Sequence, residues 1–128
     1  MIIRCGVDLV YLPRFKKSLK RGGENFLRRV YHEQELKHLR GGVSLQSNAT
    51  HLGGETKHLA GIFAAKEAVI KALFLPTGSW HDILITYKRN GQPQIEILNH
   101  KSSIINRSLS ISHDGNYIIA QFIALLKK

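Results

Sequence analysis

Two turn signals in the second half of the chain constrain the fold most. Arg89-Asn90-Gly91-Gln92 stands between alternating runs that carry Ile83, Ile85 and Tyr87 on one side and Ile95 and Ile97 on the other. Asn-Gly is the strongest short hairpin signal, because both residues accept the positive φ that a tight turn between twisted strands requires. His113-Asp114-Gly115-Asn116 stands in the same way between residues 109–112 and 117–126, which predicts a second hairpin. Near the start, Ile3, Cys5, Val7 and Leu9 alternate with Arg4, Gly6, Asp8 and Val10, the period of a further strand.

The intervening sequence reads as helices. Pro13 suits the first turn of a helix that runs through Leu19 to a stop at Gly22-Gly23. Asn25 is placed to cap a second short helix holding Phe26, Leu27 and Val30, and Leu36 and Leu39, ended by Gly41-Gly42, mark a third. Residues 41–56, rich in Gly, Ser, Thr and Asn, predict a long loop. Thr56 would then cap the longest helix, which carries Leu59, Phe63, Ile70 and Leu73 at helical spacing and reaches Phe74 before Pro76 and Gly78 end it. The expected fold is a single α+β domain over residues 1–128, an antiparallel sheet packed against a long central helix and short N-terminal helices.

Charge narrows the partners. Lys and Arg number 19 against 9 Asp and Glu, a formal +10, which favours a polyanion: nucleic acid, membrane phosphates, a phosphorylated cofactor or an acidic protein. Seven cations (Arg14, Lys16, Lys17, Lys20, Arg21, Arg28 and Arg29) crowd one segment with a single acid, Glu24. A solvated helical face is the common reason for such a run. With Phe15 and Leu19 interleaved it also suits an acidic amphipathic helix or a nucleic-acid backbone. One cysteine, Cys5, excludes an internal disulfide and a cysteine-based zinc framework. No apolar stretch approaches the roughly 20 residues that span a bilayer, and the expected location is the cytoplasm.

Two carboxylates stand out. Asp8 lies inside a strand, where an ionised group costs free energy unless a cation or several donors compensate it. Glu67 lies among small and apolar residues, four before Lys71 and so on the same helical face. Solvent-facing or salt-bridged acids explain each of them alone. Together, two carboxylates from separate elements suit Mg²⁺, which takes its remaining oxygens from water and substrate phosphates, and a nearby lysine would neutralise phosphate charge. Ser112-His113-Asp114 is no hydrolase triad, since adjacent residues on an extended chain point apart; a turn-forming Asp and a phosphate-contacting His fit better. No histidine pair has HExxH spacing.

In order, Gly6-Val7-Asp8-Leu9-Val10 with Arg14-Phe15, Phe63-Ala64-Ala65-Lys66-Glu67-Ala68 with Lys71-Ala72, Gly91-Gln92-Pro93 and Ser110-Ile111-Ser112-His113-Asp114 resemble the holo-[acyl-carrier-protein] synthase family, the small bacterial 4′-phosphopantetheinyl transferases. The resemblance implies transfer of 4′-phosphopantetheine from coenzyme A to a serine of acidic apo-acyl carrier protein, releasing 3′,5′-ADP, by a homotrimer with active sites between subunits. It implies that Asp8 and Glu67 hold Mg²⁺ and that Asp8, Glu67 and Lys71 form the catalytic set, with Glu67 or a water it orients as base. It further implies that Lys71, Lys66, Ser112 and His113 contact coenzyme A, and that Arg14, Phe15, Lys17, Arg21 and Arg28 dock the carrier. The alternatives are a small basic nucleic-acid-binding domain and a catalytically inactive relative. Three departures from the family pattern stand out: Ile62 where the family usually has Arg, so that one phosphate contact is lost or supplied elsewhere; His32 where a helix-capping Thr is common; and 41–56, longer and more glycine-rich than usual, with 74–79 replacing the usual glycine-rich turn, both of which bear on the nucleotide end of coenzyme A.

Overall fold

A computed structural model describes residues 1–37, 53–98 and 104–128 and opens on a ten-residue strand, β1 (Ile2–Tyr11). Strands β4 (Ile104–Asp114) and β5 (Tyr117–Leu126) form the second expected hairpin, and β1 pairs antiparallel with β5 along its whole length, giving the order β1-β5-β4. The first hairpin, β2 (Ile83–Tyr87) and β3 (Pro93–Ile97), stands apart as a two-stranded sheet. Both glycines predicted to turn the chain do so at positive φ, +86° at Gly91 and +56° at Gly115, conformations that cost other residues strain. His113 and Asp114, expected at the turn, are the last residues of β4, so the loop itself is only Gly115-Asn116.

Helix α3 (Gly53–Leu73) crosses the sheet and is buried nearly all round. It begins three residues before Thr56, so 53–56 are helix and not loop; the rest of the predicted loop, with Leu39 and Gly41-Gly42 of the third expected helix, lies outside the described residues. The helix can lie this close because its sheet-facing residues are small. A Cβ built on Gly6 of β1 would stand 1.9 Å from the Ala68 carbonyl oxygen and 2.9 Å from the Ala72 nitrogen. That contact decides which face of β1 turns inward. Gly6 and Val10 are buried and Arg4 and Asp8 half-buried beneath α3, while the apolar set faces outward, with Ile3 72% and Leu9 60% exposed.

Helix α1 (Leu12–Val30) buries Leu12, Phe15, Leu19, Leu27 and Val30. The break expected at Gly22-Gly23 is a kink, since Gly23 leaves helical geometry at φ 50°, ψ −133° and the helix resumes at once. Helix α2 (Glu33–Lys37) starts with half a capping box, the Glu35 carboxylate accepting the His32 backbone N–H at 2.7 Å. Glu35 is also the hub of the interior. It accepts Lys66 Nζ at 2.6 Å and the Ile85 N–H at 2.9 Å, and Lys66 donates to the Val30 carbonyl at 2.6 Å, which ties α1, α2, α3 and β2 together. Both charged side chains are fully buried.

Candidate active site

The close crossing of β1 and α3 places three of the expected residues side by side. Asp8, on the helix-facing side of β1, keeps 15% of its side chain exposed and accepts Lys71 Nζ at 2.9 Å; the same ammonium donates to the Val7 carbonyl at 3.1 Å. Lys71 is itself half exposed. Glu67 sits one turn earlier on the same helical face, half-buried, where its Oε1 accepts the indole N–H of Trp80 at 2.7 Å. The surface pair between Glu67 and Lys71 that spacing alone allows is therefore replaced by two other contacts. Lys71 reaches across to the strand, and Glu67 is held by a tryptophan.

The remaining expected residues are distributed differently. Lys66, expected at coenzyme A, is instead sealed against Glu35 and Val30; it lies between Ile62, Val69 and Ile70, all buried, and shares their face of α3. Burial holds its ammonium below the ordinary lysine value, with the Glu35 charge and hydrogen bond opposing that fall. Phe15, expected to dock the carrier, belongs to the core, its ring centroid 6.0 Å from Phe26 and 5.7 Å from Phe63. Arg14, Lys17, Arg21 and Arg28 are exposed, as that surface requires, and Arg28 pairs with Glu24. Ile62, the departure before Phe63, is completely buried.

Ser112 and His113 are exposed near the end of β4, which β5 separates from β1. Asp8 pairs with Ala120 and Ala120 with Ile111, so His113, two residues on, shares the face of Asp8, while Ser112 shares the outer face of Leu9 and Ile119. No hydrogen bond or ion pair among the described residues joins Ser112 or His113 to Asp8, Glu67 or Lys71. Trp80 is the site residue that sequence reading missed. It stands in a short 3₁₀ turn (Ser79–Asp82) without periodicity, and only the folding of that turn onto α3 brings it to Glu67.

The donor set fits magnesium in type: two hard carboxylates on separate, well-packed elements with a lysine alongside, for an ion that takes its remaining oxygens from water and phosphate. Groups of three or more His, Cys, Asp or Glu suited to a metal do not occur among the described residues. This arrangement can bind and align a charged phosphate ester.

Residues 4–122 match the model of the 4′-phosphopantetheinyl transferase superfamily. Holo-[acyl-carrier-protein] synthase of Ehrlichia chaffeensis is 35% identical over 98% of this chain and 97% of its own, and that of Ehrlichia ruminantium strain Gardel 37% over 100% and 99%. In structure, the chain is similar to the Helicobacter pylori holo-[acyl-carrier-protein] synthase in complex with coenzyme A, with a TM-score of 0.77 and 29% identity over 94% of this chain and 99% of that one. The Chronobacterium ammoniagenes coenzyme A complex gives a TM-score of 0.80 and 27% identity, covering 100% of each chain.

Proposed function

The chain belongs to the holo-[acyl-carrier-protein] synthase family of 4′-phosphopantetheinyl transferases, and from that premise we propose that it moves 4′-phosphopantetheine from coenzyme A to a serine of acidic apo-acyl carrier protein, with Mg²⁺. The observation that carries this reading is the Lys71–Asp8 contact with Glu67 one turn away on the same helical face. In the step, the serine oxygen forms a bond to the phosphorus that bears pantetheine, the bond from that phosphorus to the bridging oxygen breaks, and 3′,5′-ADP leaves with the electron pair. The serine proton passes to a base, for which Glu67 or a water it orients is the candidate.

Asp8 and Glu67 would hold the metal, which when bound neutralises the pyrophosphate and aligns it for displacement. Lys71 is placed to move from Asp8 to a phosphate oxygen, since its ammonium is half exposed on a flexible stem. Its charge would offset what gathers on the leaving oxygen. The exposed cations of α1, Arg14, Lys17, Arg21 and Arg28, supply a surface for an acidic carrier.

A homotrimer is supported by the outer face of the β1-β5-β4 sheet. Ile3, Val7, Leu9, Ile119 and Ile123 all lie exposed there, and single chains rarely leave so much contiguous apolar surface in water. Ser112 opens onto the same face, so a neighbouring copy is the route by which the end of β4 would join a site that its own Asp8 and Lys71 do not complete. Coenzyme A as donor fits a cytoplasmic location, and no described helix is long and apolar enough to cross a membrane.

Intact-mass analysis of a bacterial apo-acyl carrier protein incubated with this protein, coenzyme A and Mg²⁺ tests the reaction. A gain of one phosphopantetheine group, abolished by a chelator, is expected. Absence of any gain across salts and carriers overturns it. Light scattering of the same sample reads the trimer, and a monomeric mass excludes it.

A further inference from the structure

We infer that Trp80 is the positioning residue of Glu67. It fixes one carboxylate oxygen so that the other is presented to the metal and substrate. The inference rests on the reading of Glu67 as a metal ligand.

The indole N–H gives Oε1 of Glu67 a 2.7 Å hydrogen bond across a separation of thirteen residues. Glutamate has three rotatable side-chain bonds, and on a half-exposed helical face nothing local selects one orientation. A donor from another element does. Ring contacts then restrict the indole: its centroid lies 6.1 Å from that of Phe63, and the Arg29 guanidinium lies 5.7 Å from the ring centre.

The turn that carries Trp80 is fastened at both ends, as a positioning element needs to be. Gly78 enters it at φ 86°, and Ser79 bonds the Pro76 carbonyl through its N–H at 3.2 Å and its hydroxyl at 2.6 Å. At the far end the Asp82 carbonyl accepts the Leu98 N–H at 2.7 Å. Between these, His81 donates through Nε2 to the Arg28 carbonyl, and His32 donates through Nε2 to the His81 carbonyl at 2.8 Å. A loop pinned to α1 and to the end of β3 thus delivers one N–H to one carboxylate oxygen. Groups that orient metal ligands in this way typically govern affinity by ten-fold or more when removed.

The chain has a single tryptophan, so its fluorescence reports this contact without labels. The probe is Mn²⁺, a paramagnetic quencher, titrated into the intact protein with coenzyme A present, with Mn²⁺ binding read in parallel by water-proton relaxation. Saturable quenching in step with binding is expected in the wild type. Trp80→Phe, which keeps a ring and deletes the N–H, should raise half-saturating Mn²⁺ about ten-fold by relaxation, with both substrate KM values unchanged at saturating metal. If that variant misfolds, β-(3-benzothienyl)alanine at position 80, with sulfur in place of the N–H, preserves the shape and should give the same shift. Unchanged Mn²⁺ affinity in whichever of these variants folds, or wild-type binding without quenching, overturns the role of Trp80. Wild-type Mn²⁺ affinity in Glu67→Gln overturns the ligand reading beneath it.

Discussion

Two lysines five residues apart on one helix have opposite fates. Lys66 is fully buried against Glu35 and the Val30 carbonyl, whereas Lys71 is half exposed and holds the partly open Asp8. The first pair has every partner inside the fold and cannot serve a substrate without unfolding its surroundings. The second is open at one end only, because water competes for the Lys71 ammonium while Asp8 keeps just 15% of its side chain exposed. An ammonium exposed to that extent can exchange one acceptor for another. A closed ion pair therefore marks architecture here, and a partly open one of the same chemistry is where we propose the site.

Removing one partner from each pair should expose that difference. Lys66→Met leaves the Glu35 carboxylate buried with only backbone N–H donors, and stability measured by denaturant should fall by about 3–5 kcal/mol. The double variant Lys66→Met/Glu35→Leu should recover part of the loss. A loss below 1 kcal/mol in the single variant would mean that the interior pair is not sealed.

Lys71→Ala should do the converse. Stability should fall by about 1–3 kcal/mol, less than in Lys66→Met, because Asp8 loses its cation but keeps 15% of its side chain in water, while the rate of carrier modification falls about 10²–10³-fold. Near-normal turnover would remove Lys71 from the site. Arg14→Glu lies further from the chemistry, on the exposed face of α1. It should raise KM for the carrier on the order of ten-fold, with KM for coenzyme A unmoved and the effect shrinking as salt is added. Equal shifts in both KM values would exclude docking at this helix.

Much of the contrast was within reach of the sequence. The hairpins followed from Asn90-Gly91 and Asp114-Gly115, and Asp8 was conspicuous as a charge in a strand that also carries Gly6 for the close approach of α3. The fate of Lys66 was readable in principle, because Ile62, Val69 and Ile70 surround it at helical spacing on a buried stripe; so was that of Phe15, between Leu12 and Leu19. Motif order draws attention to Lys66 beside Glu67, but neighbours in a helix point about 100° apart. Trp80 was not readable. Its contact depends on how an irregular turn is pinned to α1 and β3, and no local pattern encodes that. The outward turn of Ile3 and Leu9 was likewise hidden, since alternation defines two faces without saying which one meets a helix.

The smallest expected effect asks how far the sealed pair acts through the interior. Burial, with the Glu35 charge second, raises the Tyr87 phenol to about 12, and the same two causes lift Tyr31 well above its ordinary value. The unfolded chain ionises these groups near 10, so between about pH 10 and 12 the folded state binds more protons than the unfolded state and stability falls as pH rises. Lys66, held low, works in the opposite direction, because there the unfolded state binds the extra proton. Tyr87→Phe removes one proton from the balance and leaves Tyr31 and Lys66 in place. Its stability should decline less steeply over that window, by up to about 1.4 kcal/mol per pH unit, as read from denaturant midpoints in an alkaline series. An identical slope would mean that the phenol at 87 titrates as if in water. Adding Glu35→Gln to the comparison separates the two causes, since the slope difference that survives without the carboxylate is the part that burial alone supplies.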